Sequence, residues 1–135
     1  ANKLDDYEEG THQTTATASS SGTITLNATY DDFYYTKVGR LVNICGYIRV
    51  DSVSSPTGIV TFSLPFAAAS TGVDTPSVSI AANNLASGSV TDLWGELGGS
   101  SLYIYVGGST SVVSTTAQAV QASTDFRFGF TYITT

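Results

Sequence analysis

Apolar and polar side chains alternate over short runs along most of this chain, and a period of two is the mark of half-buried β-strands. The clearest run is C-terminal, where Phe126, Phe128, Phe130 and Tyr132 alternate with Asp125, Arg127, Gly129 and Thr131. Burying four such aromatics contributes on the order of 6–12 kcal/mol before entropy is subtracted. A strand this apolar is expected in the middle of a sheet or under cover, not at a bare edge. Over residues 23–30, Ile24, Leu26, Ala28 and Tyr30 share one face. Over 41–50, Val42, Ile44, Ile48 and Val50 do so, leaving Asn43, Cys45, Tyr47 and Arg49 on the reverse. Val60, Phe62 and Leu64 form another row, as do Val78, Ile80 and Ala82. Turn signals separate these runs at close spacing, with Ser19–Gly22 among them, which is the pattern of a sandwich or barrel. No window carries a helical apolar stripe. The best helix candidate, Thr115 to Ala122, is short and reads equally well as a loop.

Two hairpins can be placed in register. The first runs from Phe33–Arg40 into Leu41–Val50 with a turn at Val38-Gly39, where Gly39 supplies the positive φ that a two-residue turn needs. That register sets Tyr35 opposite Val42 and Phe33 opposite Ile44. The second joins Val90–Leu97 to Leu102–Gly107 through Gly98-Gly99-Ser100-Ser101. A two-residue and a four-residue loop give the same register here, with Leu97 facing Leu102 and Leu93 facing Val106. On its reverse face Trp94 lies opposite Tyr105, and Glu96 opposite Tyr103.

Length and composition narrow the class. The 135 residues fit one domain, with an acidic lead-in over residues 1–10 and a single β-domain over 11–135. Charged residues make up 12%, well under the roughly 25% usual in soluble domains, while 41% are hydrophobic. Disorder is therefore not expected, since it pairs low hydrophobicity with high charge. A surface of Ser, Thr and Tyr leaves neutral area free for self-association. A net charge of −6 with only five basic residues makes nucleic acid a poor partner, because phosphate neutralisation dominates that affinity. Anionic membranes are poor partners for the same reason, and no apolar stretch is long enough to span a bilayer. No signal peptide is visible, and there is no Met at all. The chain is expected to be a piece or a processed product of something longer.

Candidate chemistry is sparse. Cys45 is the single cysteine and His12 the single histidine. A catalytic thiol needs an activating neighbour, and a free cysteine within a strand otherwise behaves as a small hydrophobe. The carboxylates Asp5, Asp6, Glu8 and Glu9 match no calcium-loop spacing and read as a solvated acidic segment, able to pair with Arg or Lys of a neighbouring subunit. Asp92 and Glu96 share a strand face, but their Cα atoms would lie roughly 13 Å apart along an extended strand. That is too far for easy cooperation in glycoside cleavage. No nucleophile elbow, phosphate loop or zinc pattern occurs. The expectation is a non-catalytic chain with no metal and no cofactor.

The sharpest constellation is the outward face of the second hairpin, comprising Asp92, Trp94, Glu96, Tyr103 and Tyr105. Aromatic rings stack on the C–H faces of sugars, and carboxylates accept hydrogen bonds from their hydroxyl rims. The same residue types also suit packing against another subunit or a covering strand, so both uses stay open at this point.

Three segments carry a resemblance. LDDYEEGT (Leu4 to Thr11), YTKVGRLV (Tyr35 to Val42) and SLPFAAAS (Ser63 to Ser70) occur in order and together cover about 24 residues. They resemble the lead-in, the hairpin and the post-strand turn of C-terminal β-modules in tailed-bacteriophage tail-fibre and virion structural proteins. The resemblance implies a virion location and a homotrimer, without a defined catalytic site or ligand, and the expected fold is an all-β, jelly-roll-like antiparallel β-sandwich. The expected function is host attachment through a surface glycan or protein. Two alternatives remain: a structural trimerisation cap without receptor binding, and a carbohydrate-binding module of a secreted bacterial protein.

Overall fold

The computed structural model describes residues 6–69, 76–86, 92–107, 112–113 and 115–135. The strands are β1 (Tyr7–Gln13), β2 (Ala16–Ala18), β3 (Ser21–Leu26), β4 (Asp32–Val38), β5 (Leu41–Thr57), β6 (Val60–Ser63), β7 (Ser77–Asn83), β8 (Leu93–Gly98), β9 (Ser101–Gly107), β10 (Val112–Val113) and β11 (Asp125–Ile133). All pairings between them are antiparallel. The order is β1-β4-β5-β11-β7-β8-β9-β6-β2, with β10 on β9 and β3 on β5.

This is one curled sheet with two halves, joined by β7. Ser77–Ser79 pair with β8, whereas Ile80–Asn83 pair with β11. The inner faces of the halves meet in the core. Phe62 of β6 lies 5.2 Å from Phe128 and 5.4 Å from Phe126 of β11, both edge to face. Phe33 of β4 packs edge to face on Phe128 at 5.3 Å.

The alternation of β11 behaves as expected: Phe126, Phe128, Phe130 and Tyr132 are all buried, and β11 sits centrally between β5 and β7. The rows Val42-Ile44-Ile48-Val50 and Val60-Phe62-Leu64 are buried too. Val78 is buried, and Ile80 and Ala82 pack partly buried against the core.

Four expectations need correction. The first hairpin turns at Gly39-Arg40, not Val38-Gly39, because Val38 pairs with Leu41. Tyr35 therefore faces Ile44, and Phe33 faces Gly46. Gly39 does carry a positive φ, +59°, but as the first turn residue, the pattern of a type II′ turn. The slip keeps the faces because both partners move by an even step. Secondly, β3 ends at Leu26, and Ala28 and Tyr30 are exposed. There Asn27 accepts the Tyr30 N–H through its carbonyl and the Thr29 N–H through its side chain, a local turn that competes with continued pairing. Thirdly, the helix candidate is a single 3-10 turn, Thr116–Ala119. Its buried Thr116 hydroxyl donates to the Ile104 carbonyl and accepts the Val60 N–H, both at 2.9 Å. Fourthly, pairing begins at Tyr7, so Tyr7–Gly10 of the expected lead-in already belong to the sheet.

Candidate functional site

The β8–β9 hairpin has the register read from sequence. Leu97 faces Leu102, Leu93 faces Val106, Trp94 faces Tyr105 and Glu96 faces Tyr103. Its loop is the two residues Gly99-Ser100, with Gly99 at φ +56°. The stretch expected to extend the strand back to Val90 lies outside the described residues before Asp92. Leu97, Leu102, Ile104 and Val106 are buried, so the alternate positions look away from the core. Asp92 and Glu96 are exposed, and Trp94, Tyr103 and Tyr105 are half-buried. All five expected site residues therefore belong to one outward face.

Glycines shape the array. A Cβ at Gly98 would touch the Tyr103 ring at 3.0 Å, and one at Gly107 would come within 2.8 Å of Asp92 Oδ2. Both side chains thus lean over bare backbone. The Trp94 and Tyr105 rings stack with centroids 4.9 Å apart at 28°. Each ring therefore covers one face of the other, with Asp92 and Glu96 two residues to either side of Trp94 along the strand. Burial, with the Glu96 carboxylate and Tyr103 adding to it, raises the Tyr105 phenol above its usual range. At neutral pH its hydroxyl is a proton donor beside carboxylate acceptors.

The face continues across the neighbouring strands. Ser77 pairs with Glu96, Glu96 with Tyr103, Tyr103 with Thr61 and Thr61 with Thr17. That row spans five strands, roughly 19 Å at the usual spacing of about 4.8 Å. Ser79 pairs with Trp94 and extends the aromatic row. Sequence reading missed Thr17, Thr61, Ser77 and Ser79. Small hydroxyl residues are common throughout this chain, and only the pairing order singles out these four.

The remaining candidates lie elsewhere. In the acidic segment, Asp6 bridges to Lys37 at 2.9 Å, Glu8 accepts the Tyr35 hydroxyl at 2.8 Å and Glu9 accepts the Tyr7 hydroxyl. Glu8 and Glu9 are consecutive in β1 and point to opposite faces; Asp5 lies outside the described residues. The Lys37 partner comes from the same chain, whereas a neighbouring subunit was the expected source. His12 and Cys45 also lie on opposite faces, since His12 pairs with Phe33 and Cys45 with the next residue, Tyr34. His12 Nε2 lies 3.0 Å from Ser63 Oγ, a contact that sequence spacing could not show. Ser63 Oγ also accepts the Thr15 N–H at 3.0 Å, and Asp32 is next to Phe33 on the opposite face from His12. The cluster ties the β1–β2 corner to β6. Burial lowers the His12 pKa, with the Ser63 backbone and the Asp32 charge opposing. A cleft of about 390 Å³ opens between Gln13–Ala16, Ile24–Leu26 and Asp31, where Gln13 donates to Asp31 Oδ2 at 2.9 Å.

No model of a known protein family matches this chain, and no curated protein matches it. Among solved structures, the crystal structure of the Dettilon tailspike protein (gp208) shares the fold, with a TM-score of 0.78 at 16% sequence identity. The alignment covers 93% of this chain and 23% of the tailspike chain. This chain thus spans under a quarter of that protein's length. The likeness shows that nearly the whole described architecture, not one hairpin, recurs there.

Proposed function

We propose that this chain is a non-catalytic attachment module of a phage tail fibre or tailspike, and that it binds a host-surface glycan through the outward face of β8 and β9. The observation that carries this reading is the stacked Trp94–Tyr105 pair, with carboxylates at both margins and a row of hydroxyls alongside. The ring face that its stacked partner leaves uncovered offers dispersion and C–H contact to a pyranose ring. Asp92 and Glu96 accept from sugar hydroxyls, and Tyr105 donates to sugar oxygens. An open strand face of this kind binds a single sugar weakly, and several linked copies supply the avidity.

The tailspike fold likeness supports a place in the virion tail, as do the lead-in, hairpin and post-strand segments noted in the sequence. On this reading the curled sheet is a jelly-roll-like sandwich, and three copies assemble around a common axis.

The test is an array of bacterial surface glycans probed with the assembled protein and with Trp94→Ala. The variant should lose binding roughly five- to tenfold, the scale of one stacking contact of about 1–1.5 kcal/mol, while circular dichroism and assembly stay unchanged. If it unfolds or dissociates instead, Trp94 is a packing residue. If binding survives intact, attachment lies elsewhere and the structural-cap reading gains.

A further inference from the structure

The described surface has five exposed large apolar side chains, and four of them, Tyr7 (55%), Tyr34 (58%), Val38 (44%) and Leu41 (49%), share one face. It is the outer face of the β1-β4-β5-β11 half, on the far side of the core from Trp94. Tyr7 pairs with Val38, Val38 with Leu41 and Leu41 with Ile133, so the apolar residues form an unbroken row across four strands. Tyr34 stands two steps along the same strand face, four residues from Val38.

The middle of the face is neutral from β4 to β11, where Thr36, Asn43 and Thr131 pair in turn, and Glu9 stands at its β1 edge. Asn43 Nδ2 donates to Thr131 Oγ1 at 2.8 Å, and beyond them Cys45 is exposed. Across from Cys45, a Cβ at Gly129 would find nothing within 4 Å, leaving a shallow open dip. Charges of both signs gather at the far end, where Arg127 lies over the Tyr47 ring at 5.4 Å and Arg49 pairs with Asp125 across the strands.

A continuous exposed apolar row on a sheet is a contact surface in search of a partner. The mixed charges suit neither nucleic acid nor an anionic lipid surface, both of which call for one sign. Four strands, each about 4.8 Å wide, over seven residues occupy a footprint of roughly 19 by 23 Å, about 440 Å² in projection. Pleated side chains expose more accessible area than their projection. That projection is a little over half of the about 800 Å² per partner found in stable complexes. A second copy supplies what the face lacks: another apolar row, another neutral centre and charges of both signs.

We infer that this face, centred on Val38, Leu41 and Cys45, is where copies of the chain contact one another. The Trp94 face then stays open to solvent on the opposite side. The two aromatic surfaces differ as this division requires: Trp94 is half-buried against its own Tyr105, whereas Tyr7 and Tyr34 are more than half exposed. The inference holds whether or not the Trp94 face binds a glycan.

Sedimentation equilibrium of the full chain, paired with alkylation of its single cysteine, tests it. The wild-type chain should associate, with Cys45 alkylated several-fold more slowly at high concentration than after dilution. Leu41→Lys and Val38→Lys change exposed side chains, so both should keep the far-ultraviolet dichroism and melting of the fold. Both should sediment as monomers with rapid alkylation at every concentration. A wild-type chain that stays monomeric to its solubility limit overturns the inference. So does undiminished association of both folded variants, which would place the contact on another face.

Discussion

Gly46 interrupts the buried row of β5 because Phe33 occupies the space above it. A Cβ at Gly46 would lie 2.6 Å from Phe33 Cδ1. The ring cannot yield easily, being fully buried and edge to face with Phe62, Phe128 and Phe130. Gly129, diagonal to it on β11, has open space where its side chain would be. The alternation sets Gly46 in the apolar row of β5 and Gly129 in the polar row of β11, but it could not show that Phe33 fills the space above Gly46. The expected register put Phe33 opposite Ile44, one even step from its true partner Gly46. Gly46→Ala should lower stability by about 1–3 kcal/mol, the range for overpacking a filled core, and Gly129→Ala should stay within about 0.5 kcal/mol. Urea unfolding at fixed protein concentration measures both, and equal losses would contradict this account of Phe33.

At the scale of elements, the strands with strict alternation were legible and their ends were not. β11 announces itself through four aromatics at period two, and its central place follows from how much apolar area it must hide. The register of the second hairpin was legible because both plausible loop lengths give the same one. The first was not, because a lone glycine can take either position of a two-residue turn. β3 stops early because Asn27 offers the backbone local partners, a signal present in the sequence but weaker than the apolar pattern that runs on to Tyr30.

β11 also carries a link to the following fold. The buried Tyr132 hydroxyl donates to the Phe66 carbonyl at 2.9 Å and ties the strand to the segment after β6. Burial pushes this phenol up to about 12, against about 10 in an unfolded chain. Below pH 10 both states keep the proton, and the contribution is whole. Above it the unfolded chain releases the proton while the fold retains it, so stability falls as pH rises towards 12. The loss is on the order of 2 kcal/mol. Tyr132→Phe should cost about 1 kcal/mol at pH 7, the scale of one hydrogen bond, and should flatten the alkaline decline. Urea midpoints between pH 7 and 11.5 show this, and parallel declines in the two proteins would contradict it.

For the whole molecule, the low charge and the outward aromatics of the sequence pointed to neutral contact surfaces. They did not show that the aromatics divide between two opposite faces. That division arises because β7 changes partners halfway and carries the sheet around the core, and no local pattern encodes such a switch. All five residues of the candidate site were legible, since they follow from one hairpin register. The hydroxyl row beside them was not, since it joins strands far apart in sequence. The central claim is that the Trp94 face receives the host surface. Trp94 is the only tryptophan in the chain, so its fluorescence reports on that face alone. Titrating the assembled protein with surface polysaccharide from cells that it adsorbs to should change the emission in a saturable way. The midpoint should coincide with binding measured by an independent method. Saturable binding with unchanged Trp94 emission would contradict the claim and move the attachment site off this face.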